Sequence, residues 1–300
     1  MPARDIENRL LLALTCAACA PTAASKAWTS STAAFVPPDS TKTSSSPSPP
    51  TKTYAPPSSP PASPSSRLTF AWCRFIHLRA RSDGNGEGYD TIAASGPHAC
   101  YLHWTRNDGA VLPGDLILID AGVELDSLYT ADITRTLPVS GTFTDVQRRV
   151  YETVREAADA AFAAARPGVT FRSIHEAAMQ VIAARTAQWG LLPVTAEEAL
   201  AADTGGQHRR YMVHGTSHHL GIDVHDCAQA RREMYYDGIL QPGMVFTIEP
   251  GLYFQIDDLT VPEELRGIGV RIEDDILVTE DGAENITNFP FGTDEMIVGK

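Results

Sequence analysis

Apolar and polar positions divide the chain into four stretches. Residues 1–20 contain a short apolar run that begins at Leu10. Residues 21–66 are almost all Ser, Pro, Thr and Ala, with few large apolar side chains. Residues 67–82 (RLTFAWCRFIHLRARS) are apolar and basic without a clean period. Residues 83–300 alternate apolar runs with turn residues, as a folded chain does. The second stretch cannot bury enough apolar surface to offset its chain entropy, so it reads as a disordered linker. The fourth is long enough for one sizeable core.

Within residues 83–300 the pattern predicts individual elements. Residues 116–120 (LILID) read as a buried strand that ends in a carboxylate. A turn over 124–127 and a returning strand over 129–137 make a hairpin centred near Asp126, which would set Asp120 directly opposite Asp132. Thr144 to Gln147 form a capping box that opens a helix to about Arg166, where Pro167 and Gly168 stop it. Ser173 to Glu176 read as a second capping box, with its helix ending at Gly190. Further strands are expected over 244–248 and 270–278. Helices mixed with antiparallel strands argue for an α+β domain.

Composition and charge narrow the function classes. The 300 residues are 43% hydrophobic and 20% charged, ordinary for a globular chain. The formal net charge is −13, and no basic patch is present in residues 83–300, so a nucleic-acid partner is not expected. The apolar head is too short to span a membrane. It is followed by small residues, as in a secretory signal, but Asp5 and Glu7 spoil the positive leading region, so the expected location is cytoplasmic, with export the lesser reading. The cysteines are five and irregularly spaced, which argues against a disulfide framework. Cys16 and Cys19 lack a second pair or a histidine partner and read as small apolar filler.

Candidate chemistry lies where carboxylates and imidazoles interrupt apolar runs. Two bare carboxylates at Asp120 and Asp132 would repel, and one would be forced to keep its proton. Two divalent ions roughly 3.5–4 Å apart would hold both ionised; a polar hairpin with Asp at its ends explains this pair alone equally well. Residues 213–226 (VHGTSHHLGIDVHD) hold His214, His218, His219 and His225, and Gly215 and Gly221 argue against a helix there. Residues 245–251 (VFTIEPG) drive a strand into Glu249 and a Pro-Gly turn. Residues 269–275 (GVRIEDD) set Glu273 mid-strand with Arg271 on the same face. Four carboxylates with one imidazole are an oxygen-rich set that favours Mn²⁺ or a related ion over a thiolate zinc site.

The order Asp, Asp, His, Glu, Glu, in the contexts DAG, ADITRT, HGTSHHLG, IEPG and RIEDD, resembles the pita-bread metallopeptidases, which include methionine aminopeptidase, aminopeptidase P, prolidase and creatinase. The flanking YDTIAASG, LHWTRN and RGIGVRIEDD are most similar to bacterial aminopeptidase P, over roughly residues 79–288. The resemblance implies a pita-bread catalytic domain over residues 83–300 and a metal-dependent exopeptidase that releases the first residue of peptides with proline second, through a hydroxide bridging two metal ions. It implies that Asp120 chelates one metal, Asp132 and Glu273 bridge both, and His218 and Glu249 hold the other. Glu249 would also shuttle a proton, His225 would help stabilise the oxyanion, and His103, His214 and His225 would line the substrate site. Arg271 would steady the carboxylates. An Xaa-Pro dipeptidase, an inactive truncated fragment and a metal-free binding module on the same fold are the alternatives, and a homo-oligomer is left open.

Two departures from the family accompany these motifs. The interval from Asp120 to Asp132 is one residue longer than the familiar spacing, which a larger hairpin loop or a bulge would absorb. Family members also carry an N-terminal domain and leading helices where this chain has Ser/Pro-rich sequence. The expectation is therefore an N-terminally incomplete domain from a truncated or frame-shifted product.

Overall fold

The computed structural model describes residues 85–287. The apolar head, the linker and the stretch 67–82 lie outside the described residues, as do Cys16, Cys19 and Cys73. The described strands are β1 (Gly86–Glu87), β2 (Ile92–Ser95), β3 (Leu116–Ala121), β4 (Val123–Glu124), β5 (Ile133–Pro138), β6 (Val245–Ile248), β7 (Gly251–Tyr253), β8 (Gly269–Arg271), β9 (Asp274–Val278) and β10 (Ala283–Asn285). Three helices separate β5 from β6: α1 (Asp145–Ala164), α2 (Arg172–Gln188) and the short α3 (Ala196–Leu200).

The strands pair antiparallel, in the orders β2-β3-β5, β10-β9-β6, β7-β8 and β1-β4. Helix α1 buries Val150, Val154, Ala157 and Ala161, one stripe at helical spacing, and α2 answers with Ile174, Ala178 and Ile182. Both stripes join Phe246, Leu252, Val270 and Ile276 in one core. Burial of this kind drives folding at roughly 25 cal/mol per Å² of apolar surface. The result is a helix pair packed on β6, β7, β8 and β9.

Local prediction held in some places and failed in others. Thr144 caps α1 with both bonds of the box present. Ser173 does not cap α2. Phe171 and Arg172 already adopt helical backbone, so Ser173 lies inside the first turn and its hydroxyl donates back to the Thr170 carbonyl at 2.6 Å. A capping box that the pattern missed opens α3, where Thr195 and Glu198 bond reciprocally.

The expected single strand over 270–278 breaks at Ile272 and Glu273, because β8 pairs with β7 while β9 pairs with β6. Glu273 therefore stands between two ladders and bridges to Thr134 of β5. The hairpin register is also shifted. Asp120 pairs with Thr134, not Asp132, which lies two residues earlier on the same face. The cause is a three-residue loop: the Leu128 amide donates to the Leu125 carbonyl at 2.8 Å and the Leu125 amide to the Tyr129 carbonyl at 2.9 Å. Leu128 takes a left-handed φ of 69° there.

Candidate metal centre

Each acidic side chain is positioned by an element end. The apolar run of β3 carries Asp120 into the interior, where it is 7% exposed. Asp132 precedes β5, and its amide donates to Asp275 Oδ2 at 3.2 Å. The glycine-framed histidine loop is not helical. It is laid along β6 by bonds from the Thr247 amide to the His218 carbonyl (2.9 Å) and from the Leu220 amide to the Val245 carbonyl (3.1 Å). Where β6 ends, the Glu249 amide donates to the Thr216 carbonyl at 2.7 Å.

These placements bring the side chains together. His218 Nε2 lies 3.4 Å from Asp132 Oδ2, 3.7 Å from Glu249 Oε1 and 3.7 Å from Glu273 Oε1. One ligand atom each from Asp132, His218 and Glu273 falls within a 4.8 Å span. Asp120 joins from the side, with Oδ2 accepting from Arg271 Nη2 and Oδ1 from the Tyr89 hydroxyl at 2.6 Å. All nine residues expected from the sequence line one cleft of about 230 Å³: Asp120, Asp132, His218, Glu249 and Glu273, with His103, His214, His225 and Arg271.

The electrostatics of the cleft favour added positive charge. Burial, followed by the Asp132 charge, raises Glu273 to about 7. Burial and the neighbouring Glu273 hold Glu249 well above the usual carboxylate range. Burial also raises Asp120, and Arg271 offsets part of that rise. Burial alone would lower His218, but hydrogen bonds to Asp132 and Glu273 and the Glu249 charge push it up to about 12. A cluster that retains protons this strongly is short of positive charge. Hard divalent cations would supply it, and oxygen donors with one imidazole suit such ions.

The flanking imidazoles differ from His218. Burial and Arg271 lower His214 to about 3, leaving it neutral. Its Nδ1–H donates to the Gly215 carbonyl at 2.7 Å, so Nε2 accepts from the Tyr253 hydroxyl at 2.7 Å. His225 packs edge-on to His218, with centroids 4.4 Å apart, and burial lowers its pKa.

Four residues at the site escaped sequence reasoning. The Tyr89 hydroxyl lies against Oδ1 of both Asp120 and Asp132 and donates to one of them at a time, and Thr134 donates to Glu273 Oε2 at 2.6 Å. Tyr253 contacts His214 and Arg271, and Asp275 receives the Asp132 amide. The available signal was local: Tyr89, Thr134 and Asp275 all lie inside the motifs YDTIAASG, ADITRT and RIEDD.

A helix pair backing antiparallel strands, with buried carboxylates closing on one imidazole, is the pita-bread arrangement of metallopeptidases. The pattern of metallopeptidase family M24 matches residues 68–280, and the chain belongs to that family. It is 58% identical over 220 residues to Xaa-Pro aminopeptidase 1 of Streptomyces coelicolor, covering 73% of this chain and 44% of that protein. Against the Xaa-Pro aminopeptidase of Escherichia coli it is 43% identical over 199 residues, 66% of this chain and 44% of the relative. The structure of Pseudomonas aeruginosa aminopeptidase PepP superposes with a TM-score of 0.70 at 40% identity, covering 77% of this chain and 51% of that one. Escherichia coli aminopeptidase P, solved with the inhibitor Pro-Leu, gives 0.67 at 37% identity, covering 78% of this chain and 51% of that one. The chain thus spans under half the length of these curated relatives.

Proposed function

We propose that the cleft holds two divalent ions, with Mn²⁺ favoured, and removes the N-terminal residue from peptides that carry proline second. The observation that carries this reading is the approach of three carboxylate oxygens to His218 Nε2 at 3.4–3.7 Å. Asp120 would hold one ion, His218 and Glu249 the other, and Asp132 and Glu273 both. When bound, such ions acidify water and polarise the scissile carbonyl.

The chain's own residues would do the rest. Glu249, at the end of β6 with Oε1 3.7 Å from His218 Nε2, is placed to carry a proton toward the leaving proline nitrogen. His225, neutral and beside His218, would donate an N–H to the developing oxyanion. His103 and neutral His214 would line the peptide path, and Arg271 would hold Asp120 in place. The relatives' names, Xaa-Pro aminopeptidase, support the substrate class. This reading takes residues 83–300 as the catalytic domain and places it in the cytoplasm. No described helix is long and apolar enough to cross a membrane.

The test is hydrolysis of an Xaa-Pro-Xaa tripeptide against an Xaa-Pro dipeptide, with metal content measured on the same sample and Asp132→Ala as control. Tripeptide cleavage that needs both the ions and Asp132 supports the reading. Dipeptide cleavage alone would make the protein a dipeptidase. Ion binding with no cleavage of either peptide would leave an inactive form of the catalytic domain, and neither ion binding nor cleavage would leave a metal-free binding module.

A further inference from the structure

Around the centre, two carboxylates, Glu273 and Asp132, have one oxygen tied and the other turned to His218, while Asp120 has Oδ2 held by Arg271. Glu273 has Oε2 tied by the Thr134 hydroxyl at 2.6 Å while Oε1 faces His218. Asp132 has Oδ1 tied by the Tyr89 hydroxyl while Oδ2 faces His218. Asp120 has Oδ1 tied by that same Tyr89 hydroxyl at 2.6 Å. One phenol oxygen therefore contacts the Oδ1 atoms of two aspartates that come from different strand ends, 12 residues apart in sequence. A phenol has a single proton, so it donates to one carboxylate at a time, and both aspartates are drawn to one point.

The surroundings are shaped for this ring. Gly122 comes two residues after Asp120, just past the end of β3, and a methyl group there would lie 2.7 Å from Tyr89 Cε1 and would collide with the Ala131 carbonyl. Tyr89 also enters from a segment held at the hairpin by the Gly88 amide, which donates to the Gly122 carbonyl at 3.1 Å. The glycine of the DAG triplet thus clears room for the tyrosine between β3 and the start of β5.

We propose that the Tyr89 hydroxyl is a positioning group that fixes the separation of Asp120 and Asp132, and so sets the span of the two-ion cage. This rests on the metal reading given above. Tyr89 turns one oxygen of Asp132 away from the centre and leaves the other free to ligate. Groups that orient ligating carboxylates in this way typically contribute a 10–100-fold effect on metal affinity.

The experiment compares the full chain as wild type, Tyr89→Phe and Tyr211→Phe. Tyr211 is a buried tyrosine away from the cleft, whose hydroxyl donates to the Leu191 carbonyl at 3.1 Å. Chelator-stripped protein is titrated with Mn²⁺ by calorimetry, and the metal-free forms are melted by circular dichroism. Tyr89→Phe is expected to bind Mn²⁺ on the order of 10–100-fold more weakly, with a metal-free melting temperature that falls no further than that of Tyr211→Phe, which also loses one buried hydroxyl bond. In electron paramagnetic resonance, its coupled two-ion signal should give way to that of isolated Mn²⁺. Fluorotyrosine installed at position 89 keeps the hydroxyl and should retain wild-type affinity. Wild-type affinity in Tyr89→Phe would overturn the proposal, as would an equal loss in Tyr211→Phe. A wild-type chain that binds no Mn²⁺ would instead withdraw the metal reading itself, and this inference with it.

Discussion

Asp274→Ala tests how the scaffold behind the site is held. Arg135 Nη2 lies 2.6 Å from Asp274 Oδ1, and the two side chains are 3% and 8% exposed. Arg135 Nη1 also donates to the carbonyls of Thr134 (2.9 Å) and Glu273 (2.7 Å), tying β5 to the segment between β8 and β9. Asp274 Oδ2 accepts from Asn285 Nδ2 at 2.9 Å. Removing the carboxylate takes away the counter-charge 2.6 Å from a buried guanidinium, a loss of about 3–5 kcal/mol. At roughly 2–4 °C per kcal/mol for a domain of this size, the melting temperature should fall by about 10 °C. The measurement is urea unfolding followed by circular dichroism, reading the midpoint and the slope together. The double change Arg135→Met with Asp274→Leu should recover most of the loss, because a well-packed apolar pair needs no charge balance. A loss below about 1 kcal/mol for Asp274→Ala would refute the reasoning, since exposed ion pairs give values of that size.

Three further outcomes follow from local geometry. Leu128→Gly should stabilise the chain by about 0.5–1 kcal/mol in urea unfolding, because Leu128 holds a left-handed φ of 69° at an exposed turn; a loss of stability would show that its side chain is needed there. Thr144→Ala should remove about 1 kcal/mol by opening the capping box of α1, and Thr144→Ser should restore most of it. His175 is lowered to about 4 by burial, with Arg209 next, and its Nδ1 accepts from the Thr216 amide at 3.2 Å. A histidine depressed in the fold binds its proton more readily when unfolded, so its contribution is present above about pH 6.5 and is lost as pH falls toward 4. In chelator-treated protein, the urea midpoint of His175→Gln should therefore decline less across that window than that of wild type.

The centre was legible because each of its residues interrupts an apolar run. Asp120 ends LILID, Glu249 ends VFTI, and His218 sits among glycines that forbid a helix. What stayed hidden is which side chains meet: the motifs contain Tyr89, Thr134 and Asp275, but only the strand pairing gives each its partner. Tyr89 lies 31 residues before Asp120 and reaches it only because β2 and β3 pair. The hairpin register turned on Leu128, an apolar residue in a backbone state that usually selects glycine or asparagine. The break at Glu273 arises because β8 and β9 take different partners, which the alternation in GVRIEDDILV does not reveal. Ser173 mimicked a cap because the side-chain spacing was right, but the backbone had already turned helical at Phe171.

The most direct measurement is anomalous diffraction at the manganese edge from crystals of the wild-type chain grown with Mn²⁺. Two peaks roughly 3.5–4 Å apart, enclosed by Asp120, Asp132, His218, Glu249 and Glu273, are expected. A cleft with no anomalous peak, at a concentration that populates other acidic surface positions, would contradict the account.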